Sequence, residues 1–221
     1  MSHSLQCQCG HVRGQLNHPE KSARIRCYCK DCQAFAHYLG KAAEMLDAQG
    51  GSDIAVSHPQ QIVFTNGADA LACVSLSAAG MLRWFTSCCN TPIGNTARDK
   101  KMAFIGLSTL CLAGGSASVD STLGPVRMKS CTESANGKVA GSGIVALPVL
   151  FGFGTKLLHA RLSGSWRRNP FFQPGSDEPV VQPTLLDDKE TERLKAIAGR
   201  SGRTGHTIRP QKSRPVGRLF D

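Results

Sequence analysis

The chain has 221 residues, a hydrophobic fraction of 41 %, ten cysteines and a formal net charge of +10. That length suits one domain with a packed core plus an extension, or two small domains. It excludes a membrane span: the longest apolar stretch, residues 144–153, is about half the length a spanning helix needs and contains Pro148 and Gly152. The first residues, up to Cys7, lack a basic segment followed by an apolar run, so a cytoplasmic location is expected. In a reducing compartment, cysteines in this number point to metal binding or catalysis before disulfides.

Residues 6–16 place Cys7 and Cys9 two apart with Gly10 after them, which predicts a strand ending in a tight turn, like the opening of a zinc ribbon. Residues 23–28 predict a second strand that delivers Cys27. A short helix follows over 31–39, where Cys32, Phe35, Ala36 and Leu39 share a face, with Asp31 as its cap and Gly40 as its stop. Residues 49–53 are a turn signal, and 54–56 and 61–65 are strand segments on either side of Pro59. Asn66-Gly67 predicts a hairpin turn into a strand over 70–76, and 81–86 is the next strand, ending at Cys88-Cys89. Thr91-Pro92 and Gly94-Asn95 read as a knuckle-like turn, and 102–107 as a returning strand. The order is that of an antiparallel meander, not of alternating strands and helices.

Beyond residue 112 the character changes. Residues 113–118 and 134–142 are small and turn-prone, and 144–163 read as an apolar strand or loop running into a helix. Trp166 and the run from Asn169 to Phe172 are expected to pack an extension onto the core. A charged helix is predicted over 185–198, with acidic residues early and basic ones late. The predicted organisation is therefore a zinc-binding β domain over 1–112, an extension over 113–198 and a basic, disordered tail over 199–221.

The chemistry lies in three thiol clusters: Cys7/Cys9, the C-x-C-x-x-C array Cys27/Cys29/Cys32, and the adjacent pair Cys88/Cys89. Thiols this close cannot all pair as disulfides but can converge on a soft ion, with Zn²⁺ the expected one. Four ligands saturate tetrahedral zinc and make a structural staple, whereas three leave a position for water or substrate. Cys7 and Cys9 can supply half of a structural site and the Cys88/Cys89 region the other half. Cys27, Cys29 and Cys32 supply three ligands to a second zinc able to bind a thiolate or polarise a carbonyl. Cys73, Cys111 and Cys131 stand singly and are not read as ligands. His11, His37 and His58 are read as surface or capping residues, and Arg83 as solvent-facing, with a carboxylate-bearing ligand as its functional alternative.

These residues resemble the glutathione-dependent formaldehyde-activating enzyme and centromere protein V family. The resemblance rests on Cys7-Gln-Cys9-Gly10, on Cys27-Tyr-Cys29-Lys-Asp-Cys32 and on the segment from Arg83 to Asn90, across about half the chain. It implies an antiparallel β-tent with short helices, a structural zinc on Cys7, Cys9 and the late cysteines, and a catalytic-type zinc on Cys27, Cys29 and Cys32. It also implies carbon-sulfur lyase chemistry on a glutathione adduct of a small aldehyde. The chain departs from the family pattern at Tyr28, at Thr86, where the first late cysteine would stand, and at Asn90 in place of glycine. Cys88 would then substitute for the missing cysteine, with Cys89 the safer ligand. The competing reading is a non-catalytic zinc scaffold that binds a partner. Nucleic-acid binding ranks last, because the clusters lack a basic recognition helix. No feature of the sequence specifies an oligomeric state.

Overall fold

A computed structural model describes residues 1–140 and 146–200. In chain order the elements are β1 (Ser2–Gln6), β2 (Arg13–Asn17), β3 (Ala23–Cys27), α1 (Lys30–Tyr38), α2 (Ala42–Met45), β4 (Ser52–Ser57), β5 (Ile62–Asn66) and β6 (Leu71–Ser75). They continue with β7 (Leu82–Thr86), β8 (Pro92–Thr96), β9 (Ile105–Ser108), α3 (Gly115–Leu123), β10 (Met128–Ser130), α4 (Ala146–Ser163), β11 (Thr184–Leu185) and α5 (Asp188–Arg200). No helix among the described residues is long and apolar enough to cross a membrane.

The mainly β architecture is built as two sheets. A small one runs β1-β2-β5, and a large one runs β10-β3-β4-β9-β8-β7-β6-β11. The interior of the large sheet is antiparallel, as expected from the meander. Its two edges are not, since β10 pairs with β3, and β11 with β6, in parallel. The large sheet is therefore mixed. Leu5, Leu16 and Ile62 of the small sheet meet Trp84, Ile93, Ile105 and Leu107 of the large one in a single apolar core. The alternation of buried and exposed residues along β1 and β2 is what a sheet with one dry face requires. Phe171 and Phe172 close this core from beyond the strands, with Phe171 5.0 Å from Trp84 and 5.7 Å from Phe64 between ring centroids.

Three local expectations are corrected. The extended segment expected over 6–16 is broken by a turn over 7–12 between β1 and β2, so Cys7 and Cys9 lie in the connection itself. Asn66-Gly67 does not make a hairpin, because β5 belongs to the small sheet and β6 to the large one. Asn66 instead donates its side-chain amide to the His11 carbonyl at 2.8 Å, and Gly67, at φ 67°, passes so near that carbonyl that a Cβ would lie 2.6 Å from it. Thr91 to Asn95 is not a turn: Pro92–Thr96 is the buried strand β8. Gly94 is there because β9 approaches closely, a Cβ at this position falling 2.6 Å from the Gly106 carbonyl.

α1 is a helix as expected, and α4 is helical from Ala146 onward, where an apolar strand or loop running into a helix was expected. Ile144 and the tail beyond residue 200 lie outside the described residues. α1 begins at Lys30 with Cys29, not Asp31, as its cap, the Cys29 sulfur accepting from the Cys32 amide at 3.4 Å. α5 starts at Asp188, because Thr184–Leu185 is taken up by the edge strand β11.

Candidate metal centres

The turn after β1 is a thiol knuckle. Cys7 donates its amide to the Val12 carbonyl at 3.0 Å and accepts from the Gly10 amide at 2.9 Å, while the Val12 amide points at the Cys7 sulfur at 3.2 Å. Gly10, at φ 76°, permits this closure. The turn between β7 and β8 is a second knuckle, closed by Asn90 donating to the Thr86 carbonyl at 2.8 Å. Asn90 sits at φ 55°, a left-handed conformation that asparagine tolerates better than most residues, and so does glycine's work at this position. The Gln8 amide donates to Thr91 Oγ1 at 3.0 Å and ties the two knuckles together.

Between them stand Cys7, Cys9, Cys88 and Cys89, with all sulfur atoms within 4.8 Å of one another. Cys7 to Cys9 is 3.5 Å, Cys9 to Cys88 3.4 Å, and Cys7 to Cys88 and Cys88 to Cys89 are each 3.8 Å. These separations are far longer than a disulfide bond of about 2.05 Å. They match the edge of about 3.8 Å expected for four sulfurs at about 2.3 Å from a tetrahedral ion. The group could therefore hold a metal ion. Both Cys88 and Cys89 belong to it. The Thr86 hydroxyl lies 3.4 Å from the Cys89 sulfur, and that of Thr91 lies 3.1 Å from it. Burial opposes ionisation of Cys89, but these hydroxyls and the Cys9 backbone outweigh it and bring the thiol down to about 5. Cys88 moves the other way, to about 12, through burial and its hydrogen bond with Cys9.

The second group is Cys27, Cys29 and Cys32, again within 4.8 Å of one another. β3 ends on Cys27, Cys29 caps α1, and Cys32 lies in the first turn of that helix. Hydrogen bonds from Cys29 and Cys32 draw the negative charge onto Cys27, whose pKa falls in spite of burial. Cys29 is raised by its bond with Cys27, and buried Cys32 is raised further by both partners. The donor set suits a thiophilic ion, and this group too could hold one.

Arg83 is not solvent-facing. It is buried at 3 % exposure with Nη1 3.9 Å from the Cys32 sulfur and 3.1 Å from Asn95 Oδ1, and Nη2 3.7 Å from Asp31. Asp31 also meets Lys195 of α5 at 3.1 Å, so it is an ion-pair bridge between helices and not a cap. A small void beside Cys32 is lined by Phe35, Ser52 and Asn95. Met45 and Ser108 line both that void and a larger cleft of about 310 Å³ with Arg24, Arg26, Asp47 and Asp53 in its wall.

None of His11, His37 and His58 joins either thiol group among the described residues. Cys73 and Cys111 are buried in the core, and Trp84 is core as well, its indole N–H donating to Thr96 Oγ1 at 2.9 Å. Sequence reasoning set Cys131 aside, yet it follows β10 directly, and that strand lies beside β3. No local motif in the sequence marks it.

The model of a family of unknown function, DUF6151, matches residues 1–182. No curated protein matches the chain.

Proposed function

The chain belongs to the DUF6151 family of unknown function, and from its thiol geometry we propose a zinc protein with one structural and one reactive centre. Cys7, Cys9, Cys88 and Cys89 hold the structural ion, and Cys27, Cys29 and Cys32 hold the reactive one. The reaction proposed is carbon-sulfur bond chemistry on a thiol adduct of a small aldehyde, with glutathione as the thiol, in line with the resemblance to the formaldehyde-activating family and its β-tent. The observation that carries this reading is the contrast between a four-sulfur group and a three-sulfur group in one molecule. Bound at the latter, zinc would supply a Lewis acid to a thiolate sulfur or a carbonyl oxygen.

The residues around the second group support this use. Cys29 points its sulfur at the start of α1, where backbone amides favour negative charge. Arg83 adds a buried positive charge on the Cys32 side. The adjoining cleft carries arginine and aspartate side chains, a wall of both charge signs that suits a zwitterionic peptide thiol.

The test is metal analysis of the wild-type chain beside Cys29→Ser, combined with exchange NMR of glutathione and formaldehyde. We expect two zinc equivalents in the wild type, one in the variant, and accelerated adduct exchange only in the wild type. A single zinc that glutathione does not disturb, with no exchange, would make the protein a scaffold.

A further inference from the structure

We infer that Cys131 is the fourth, exchangeable thiol of the Cys27/Cys29/Cys32 centre, completing its donor set from the solvent side. The inference rests on the reading of that group as a metal centre.

The topology holds Cys131 in place. β10 runs parallel to β3 with Ser130 in register with Cys27, and the Tyr28 amide donates to the Ser130 carbonyl at 3.0 Å. Met128 of the same strand packs against the apolar cluster that contains Cys27 and Cys32. The chain then turns through Thr132–Ser134, and the Ser134 carbonyl accepts from Gln33 Nε2 at 3.1 Å. Gln33 is in α1 and also donates to the Tyr28 carbonyl at 2.6 Å. Cys131 is thus anchored on both sides to the segment that carries the three thiols.

The Cys131 side chain lies within interaction reach of Cys27. Cys131 is exposed while Cys27 and Cys32 are buried, so it meets the group from outside. It is not part of the set whose sulfurs lie within 4.8 Å of one another. A loop thiol at the edge of a three-thiolate centre can occupy the remaining tetrahedral position at rest and yield it to a competing small thiol.

The full chain loaded with Co²⁺ provides the test, using Cys131→Ser and Cys131→Asn. Cys131 sits at φ 54°, which asparagine tolerates, so a purely conformational effect would differ between the two variants. We expect both to keep two cobalt ions per chain. Their sulfur-to-cobalt absorption should fall by about one part in eight, as eight thiolates become seven, and the weaker ion should pass to a chelator about ten times more readily. Wild-type absorption and affinity in both variants, while Cys29→Ser loses one cobalt, would overturn the inference and leave the metal centre standing. If Cys29→Ser loses no cobalt, the metal reading of the group fails and the inference falls with it.

Discussion

The guanidinium of Arg83 lies 3.9 Å from the sulfur of Cys32, inside the protein, its Nη1 shared between that sulfur and Asn95 while Nη2 reaches Asp31. Cys32 is the hardest thiol of its group to ionise, because it hydrogen-bonds with Cys27 and Cys29 and is buried, and Arg83 pulls against that. Arg83→Met should therefore weaken metal binding at this group by about 10- to 100-fold without touching the four-thiol group. Arg83→Lys should fall between, since an ammonium cannot fork between Asn95 and Asp31. Competition with a chromophoric chelator, resolving two affinities, measures both.

The four-thiol group spans the two sheets, with Cys7 and Cys9 leaving β1 and Cys88 and Cys89 leaving β7. Structural zinc contributes several kcal/mol or more to folding, and each kcal/mol is worth about 2–4 °C at this chain length. Cys88→Ser should lose one metal equivalent and melt roughly 10 °C or more below the wild type. Cys29→Ser should also lose one equivalent, with a much smaller change in melting temperature. Metal content read beside calorimetry separates the two centres.

Acid should destabilise the protein partly through His58. Burial, then the positive charges of Arg168 and His159, lower this histidine from its ordinary 6.5, and neither ring nitrogen has a hydrogen-bond partner among the described residues. Its folded state thus prefers the neutral ring. The stability this contributes is fully present above pH 6.5 and is lost as pH falls through the lower folded value. His37, lowered by burial and Arg193, acts in the same direction. Urea midpoints at pH 8 and pH 5 should differ less in His58→Gln than in the wild type.

Phe171 has no exposed surface and packs edge-to-face on Phe64 and tilted against Trp84, which belong to different sheets. Phe171→Ala should cost about 3–5 kcal/mol. The urea midpoint should fall with the slope unchanged, and a chain ending near residue 112 should fail to give a cooperative transition.

The thiol array at residues 27–32 was legible because its spacing is local and lies at a strand-to-helix junction that the sequence also marks. The meander was legible for the same reason. Glycine and proline misled where they answer to a distant neighbour: Gly94 makes room for the Gly106 carbonyl and Gly67 for the His11 carbonyl, yet both look like turn signals. Arg83 looked exposed because its burial depends on Asp31 and Asn95 arriving from other elements. Cys131 could not be associated with the array without the parallel pairing of β10 and β3, which connects residues about a hundred positions apart.

Lys195 reaches Asp31, and through it the guanidinium behind Cys32, from the last described helix. A ribosome releases the sulfur-bearing segment long before it releases that lysine. During vectorial synthesis the three thiols therefore emerge before the outer link of this charge chain, which forms only once α5 docks.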